Sequence, residues 1–284
     1  VNRRLIRAAA VATVLVAALA GCTSTPEPVE TPTSSSALGI QVTSIAALGD
    51  SITAGVSACG DANSCPSASW AVGDDPEVDS IATRVAEAGQ AAPAVENFAR
   101  KGAVVADLAT QVPQAIEAAP SLVTVLIGSN DVCARSTTVM TDADTFASTA
   151  TAALQALSTG LPDSTIYVSS IPDLLAFFEL ERGDASAQRL WAGGGCNSLL
   201  ANPDSDAEID VNRRDKIGAL IDSYNTSLGE ACSALSNCVY DGGALHELDV
   251  TADDISDVDH FHPSLTGQAA LAETAWTALV AARP

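Results

Sequence analysis

A three-layer α/β/α sandwich, with a parallel sheet held between two layers of helix, is the fold class this sequence predicts. Three observations predict it. Short apolar, β-branched runs recur along the chain, and segments of helical spacing lie between them. About 245 residues remain once a leader and a low-complexity stretch are set aside, which is enough for one substantial core. Alternating strands and helices require crossover connections, and these make the strands parallel and cover both faces of the sheet.

The strand candidates are SIAAL (44–48), AVENFA (94–99), SLVTVLIG (121–128), STIYVSSI (164–171) and NCVYD (237–241). Each is a short run bounded by polar or turn-forming residues. Helical patterns fill the gaps near 79–89, 104–118, 143–158 and 207–234, and an alanine-rich segment from about 264 to 282 closes the chain. Pro113 is expected to start or kink its segment. The stretch from Pro172 to Ile209 breaks the alternation, with Phe177, Phe178 and Trp191 among glycines and charges. Such aromatics are most often core, but an excursion at the carboxyl edge of a sheet can also build a binding wall.

The first residues read as an export signal. Arg3, Arg4 and Arg7 precede an apolar run from Ala8 to Ala20 that is short for a membrane span. The run ends in Leu19-Ala20-Gly21-Cys22, which resembles a bacterial lipobox and implies cleavage before Cys22 and a diacylglyceryl anchor on its thiol. Residues 1–21 are therefore expected to be a lipoprotein signal, exported by either Sec or Tat. Residues 22–37, rich in Thr, Ser, Pro and Glu, have too little to bury to fold alone and are expected to act as a tether. The folded domain is expected over 38–284, at the outer face of the cytoplasmic membrane or in the envelope, with release from the cell as a variant.

With 13 basic and 35 acidic residues the chain carries a formal charge of −22. Nucleic acid is thus excluded as a partner, and the acidity reads as solubility outside the cell. Setting Cys22 aside leaves six cysteines, an even number in an exported chain, which favours disulfides. Six cysteines allow 15 connectivities. Closeness in sequence favours Cys59 with Cys65 and Cys232 with Cys238, leaving Cys133 for Cys196. Zinc is disfavoured, because no C-x₂-C pair exists.

In an open parallel sheet the chemistry sits at the carboxyl ends of the strands. Ser51 follows the first strand candidate, Gly102 the second and Asn130 the third. Ser51 lies in IAALGDSITAG, and a Gly-Asp-Ser tripeptide arises by chance in roughly one chain in fifteen of this length, so partners must decide its meaning. They stand near the C-terminus in DVDHFHPSLTGQ, where Asp259 precedes His262 by three residues. A serine hydroxyl becomes a good nucleophile when a base takes its proton, and an imidazole oriented by a carboxylate suits that task.

These residues resemble the SGNH hydrolases, also called GDSL esterases and lipases. ALGDSITAG is similar to the family's first block with Ser51, NFARKGAVVADL to the second with Gly102, IGSND to the block with Asn130, and DHFHPSLTGQ to the last, with Asp259 and His262 in a D-x-x-H pattern. The resemblance spans about Ile45 to Gln268 and implies a flavodoxin-like parallel sheet. It implies Ser51 as nucleophile, His262 as base, Asp259 as its orienter, and an oxyanion hole from the Ser51 and Gly102 N–H groups and the Asn130 amide. The implied reaction is carboxylic ester hydrolysis through an acyl-enzyme, with no metal and no organic cofactor. The stretch IPDLLAFFELERG looks closer to the lipase and phospholipase branch, which favours acyl-lipid or short-chain esters. A monomer is expected.

Other readings weigh less. The first block has Ile52 where the family name has Leu, a small change. His260 is a rival base or half of an HxH metal pair. Asp50 reads as a local hydrogen-bonding residue, and Asp249, Asp253, Asp254 and Asp257 as a solvated acidic loop whose spacing does not match an EF-hand. Thr53, two residues after Ser51, breaks the G-x-S-x-G elbow of α/β-hydrolases, and P-loop and Rossmann fingerprints are missing. The alternatives to ester or lipid hydrolysis are deacetylation of an envelope polysaccharide and a binding module that kept the fold without turnover.

Overall fold

The computed structural model describes residues 38–282; the expected leader, the tether and Cys22 lie outside the described residues. The elements run β1 (Ser44–Gly49), α1 (Ile81–Glu87), β2 (Ala94–Asn97), α2 (Leu108–Ala118), β3 (Leu122–Leu126), α3 (Ser129–Val132) and α4 (Ala143–Gly160). They continue with β4 (Thr165–Val168), α5 (Leu174–Glu181), α6 (Ala185–Trp191), α7 (Asn197–Leu200), α8 (Glu208–Ser233), β5 (Cys238–Tyr240) and α9 (Leu265–Ala282).

All four strand pairings are parallel, and the order β2-β1-β3-β4-β5 is the flavodoxin-like one. The sandwich expected from the alternation is therefore the fold observed. β3 is buried along its whole length and β1 along all but its first residue, which is why both read as near-continuous apolar runs. Side chains alternate between two cores. Ala46, Leu48, Val123 and Val125 pack with Leu108 and Val112 of α2, Leu154 of α4 and Ile221 of α8. Ile45, Ala47, Leu122 and Leu126 pack on the other face with Trp70, Ile81 of α1 and Leu271 and Leu279 of α9. The exposed pattern of β2 fits its place at the edge.

Two expectations need correction. Pro113 does not start its helix: it lies inside α2, preceded by a short 3₁₀ turn at Val105–Asp107. The acidic run is not wholly solvated, since Asp254 is buried and its Oδ2 accepts bonds from the N–H and hydroxyl of Thr251, while Asp249, Asp253 and Asp257 are exposed. The stretch from Pro172 to Ile209 forms the short helices α5, α6 and α7. Phe177 and Phe178 are buried there, and Trp191 is stacked on Phe178.

Candidate active site

β1 ends at Gly49, whose φ of 154° and closeness to Leu126 leave no room for a side chain: a Cβ there would lie 2.4 Å from the Leu126 carbonyl oxygen. The buried Gln111 amide clamps this residue, accepting from its N–H at 2.8 Å and donating to its carbonyl at 2.9 Å. The chain then turns into the loop that carries Ser51. Gln268 of α9 donates to the Ile52 carbonyl at 2.8 Å, and Trp70 donates its indole N–H to the Thr53 hydroxyl at 3.1 Å. Ser51 is thus set on a short loop braced by buried polar side chains from distant segments.

His262 reaches Ser51 from the far end of the chain. Its Nε2 lies 2.9 Å from Ser51 Oγ and its Nδ1 lies 2.6 Å from Asp259 Oδ2. The other carboxylate oxygen, Oδ1, accepts the backbone N–H groups of Phe261 and His262 at 3.1 and 2.9 Å. This is what the three-residue spacing provides: one tight turn fixes carboxylate and imidazole together. Burial alone would raise the Asp259 carboxyl, but the bond and charge of His262, the Ser57 hydroxyl and the turn's N–H outweigh it and bring it down to about 2. An imidazole held between a carboxylate and a hydroxyl in this way can take the hydroxyl's proton.

His260 goes elsewhere. Its φ of 55° turns the chain, and its Nδ1 lies 2.7 Å from Glu181 Oε2 of α5. His260 and His262 therefore take separate carboxylate partners. Among the described residues no cluster of three His, Cys, Asp or Glu side chains could hold a metal ion.

Gly102 and Asn130 line the same cleft as Ser51 and His262. Gly102 has a left-handed φ of 80° that favours glycine. Among the described residues, the N–H groups of Ser51 and Gly102 have no hydrogen-bond acceptor. Asn130 donates one amide hydrogen to the Ala103 carbonyl at 3.0 Å, leaving the second available. The cleft measures about 400 Å³, and Leu190, Trp191, Leu200, Val258, Phe261 and the Cys133–Cys196 pair give it an apolar wall, with Lys101 on its rim. Of the excursion's aromatics only Trp191 reaches this wall. A depression of about 470 Å³ between α2 and α4 offers no titratable side chain.

Beneath Ser51, Asp50 is fully buried, and burial raises its carboxyl to about 7 despite the Ile52 N–H that its Oδ1 accepts at 2.9 Å. The neighbouring Ser129 hydroxyl acts on the same carboxyl and partly offsets the rise. Asp50 is the local hydrogen-bonding residue expected. Asp131, also raised by burial, to about 6, accepts from the Val105 N–H and the Thr141 hydroxyl and so ties together the loops behind Gly102 and Asn130. The structure joins Cys59 to Cys65, Cys133 to Cys196 and Cys232 to Cys238. Sequence reasoning gave no role to Gln111, Trp70, Ser57 or Glu181. Gln268 was in view at the end of the last motif, without any sign of what it would hold.

The model of the GDSL-like lipase/acylhydrolase family matches residues 47–270, a span containing Ser51, Gly102, Asn130, Asp259 and His262. The chain belongs to this family. Among solved structures, this GDSL family member is similar to TesA, with a TM-score of 0.53 and 18% identity over 83% of this chain and 97% of that one. It is also similar to LAE5, an α/β hydrolase enzyme from the metagenome of Lake Arreo, Spain, at TM-score 0.52, 17% identity, and 84% and 96% coverage. A single-residue variant of an acetyl xylan esterase from Geobacillus stearothermophilus follows at 0.50, 17%, and 84% and 95%. At these identities the likeness is one of fold, the SGNH hydrolase α/β fold. No curated protein matches the sequence.

Proposed function

We propose that this GDSL family member is an exported serine esterase or lipase that hydrolyses carboxylic esters. The observation that carries the reading is the chain of contacts from Asp259 through His262 to Ser51, at 2.6 and 2.9 Å, in a cleft that Gly102 and Asn130 also line. Ser51 Oγ attacks the ester carbonyl carbon as His262 Nε2 takes its proton, while Asp259 holds the imidazole's tautomer and stabilises the imidazolium. The carbonyl oxygen, now negative, is bound by the Ser51 and Gly102 N–H groups and the Asn130 amide. As the intermediate collapses, the carbon–oxygen bond to the alcohol breaks and His262 returns its proton to the leaving oxygen. Water, deprotonated by His262, then attacks the acyl-enzyme and frees the acid, and Ser51 recovers its proton.

The substrates favoured are acyl-lipid or short-chain esters, because Leu190, Trp191, Leu200 and Phe261 offer an apolar wall beside Ser51. The leader-like residues 1–21 and the lipobox cysteine support an envelope location with the domain anchored through Cys22 and the 22–37 tether.

The test is hydrolysis of p-nitrophenyl esters of graded acyl length, beside a phospholipid and an acetylated sugar, by the parent protein and by Ser51→Ala. Turnover by the parent, its loss in Ser51→Ala and labelling of Ser51 by a fluorophosphonate support the reading. No turnover and no labelling by the parent would make the domain a binding module, and a steep preference for acetyl would move the substrate to acetylated sugars.

A further inference from the structure

Asp259 Oδ2 accepts two hydrogen bonds, and only one comes from the imidazole. The other comes from the Ser57 hydroxyl, 2.6 Å away. Ser57 lies 202 residues upstream in the chain and is 1% exposed. Its φ is 64°, a left-handed conformation that disfavours a side chain and that glycine would take freely. A β-carbon is kept here at a conformational cost, and among the described residues the side chain's one partner is Asp259.

Both sides of Ser57 are held. Its N–H donates to the Asn63 carbonyl at 3.1 Å, within the loop closed by the Cys59–Cys65 disulfide. Its carbonyl accepts the Ser256 hydroxyl at 2.6 Å. Ser256 belongs to the turn that carries the site: its own N–H donates to the His262 carbonyl at 2.9 Å, and its carbonyl accepts the His260 N–H at 2.8 Å. The backbone of Ser57 is thus registered against the same turn whose carboxylate its hydroxyl meets.

We propose that Ser57 is a positioning residue for the Asp259–His262 pair, fixing the rotation of the carboxylate and tempering the basicity of the imidazole. A donor on Oδ2 spreads the carboxylate's charge over two partners. Without it, the full acceptor strength of that oxygen falls on His262 Nδ1. The imidazolium gains, and the imidazole stays protonated, and so unable to act as a base, to a higher pH. Loss of the bond also leaves the carboxylate's rotation set only by the Phe261 and His262 N–H groups on Oδ1, so the pair is less sharply oriented while the contact to the imidazole is kept.

Other charged groups face this pair. Asp50 lies beneath Ser51 within electrostatic reach of His262, the His260–Glu181 pair flanks the turn, Lys101 stands on the cleft rim, and exposed Asp257 precedes Asp259 by two residues. Asp254 of the same loop is engaged with Thr251. None of them bonds to the Ser57 hydroxyl, so removing that hydroxyl leaves them in place.

The proposal rests on the reading of Ser51, His262 and Asp259 given above. The experiment compares Ser57→Ala and Ser57→Gly with the parent and with Ser51→Ala, measuring kcat and kcat/KM for one short p-nitrophenyl ester against pH, together with Tm. Glycine relieves the backbone, so Ser57→Gly should fold at least as stably as Ser57→Ala. Both variants should lose about 10-fold in kcat, and their acid limb of kcat/KM should move up by about 0.5–1 pH unit. An acid limb that stays in place or moves down in both variants would overturn the proposal, whatever happens to kcat. Turnover that survives in Ser51→Ala would instead overturn the reading of the site beneath it.

Discussion

Glu181 Oε2 lies 2.7 Å from His260 Nδ1, so the end of α5 grips the turn that carries Asp259 and His262. Trp191 of α6 holds the same turn from another side, donating its indole N–H to the Asp259 carbonyl at 3.3 Å. The irregular excursion is therefore both a cleft wall and a clamp on the loop. Glu181→Ala leaves a nearly buried imidazole without its partner, since both side chains are 12% exposed. It should cost about 1–3 kcal/mol of stability, read as a lower urea midpoint at unchanged m, and it should lower kcat/KM as the turn loosens. A variant that keeps both the midpoint and the activity would show that the clamp contributes nothing.

Asn130 is the one side chain among the proposed oxyanion donors, which makes it separable from the backbone. Asn130→Ala should lower kcat by about 10²–10³-fold while changing KM little, because the bond strengthens only as charge develops on the oxygen. Asn130→Asp should be at least as poor, since it keeps the size and brings negative charge toward a forming anion. Both variants also lose the donor to the Ala103 carbonyl, so a small fall in Tm is expected. A rise in KM with kcat intact would make Asn130 a ground-state binder.

The layers of this fold were legible because β1 and β3 are apolar on both faces, a pattern that only a sheet covered twice by helices requires. Ser51, Gly102 and Asn130 were legible for a related reason: each follows a strand, and parallel strands bring their carboxyl ends to one edge. Asp259 and His262 could be read as a pair because three residues separate them, a distance one turn can close. Ser57 could not. Its bond to Asp259 spans 202 residues and depends on a left-handed backbone that nothing local in GVSACG announces. Glu181 was hidden similarly, within a helix whose place against the turn is set by tertiary packing. Pro113 was legible as a residue that starts or kinks its segment, and its place inside α2 excludes only the first of these.

The Cys133–Cys196 bridge closes 63 residues of sequence, against 6 for each of the other two. By the chain-entropy model its removal should cost about 4 kcal/mol, against about 2 kcal/mol for either short loop. The wall it belongs to has other ties: Ser198 donates its N–H to the Ala134 carbonyl and its hydroxyl to the Val132 carbonyl, and it accepts the Ala134 N–H. The double variant Cys133→Ala/Cys196→Ala should therefore unfold at lower urea yet keep most of its activity where folded. Equal losses of stability from the long and short bridges would contradict this ordering.

Asp50 provides a pH dependence of known sign. Its carboxyl sits near 7 in the folded protein against an ordinary value of 3.8, because burial disfavours the charge. Between those values the folded chain holds a proton that the unfolded chain has released, so stability falls as pH rises through the window and stays reduced above it. Asp131, raised to about 6 by burial, adds to the same trend. Asp259 has the opposite sign: held near 2, it contributes stability above about 3.8 that is lost only as the solution becomes strongly acidic. Asp50→Asn keeps an oxygen for the Ile52 N–H and removes the charge. Its stability relative to the parent should rise by on the order of 2–3 kcal/mol between about pH 5 and about pH 8. Urea unfolding of both proteins at the two pH values reads this directly. A gap between variant and parent that is the same at both would mean that Asp50 does not titrate across this range.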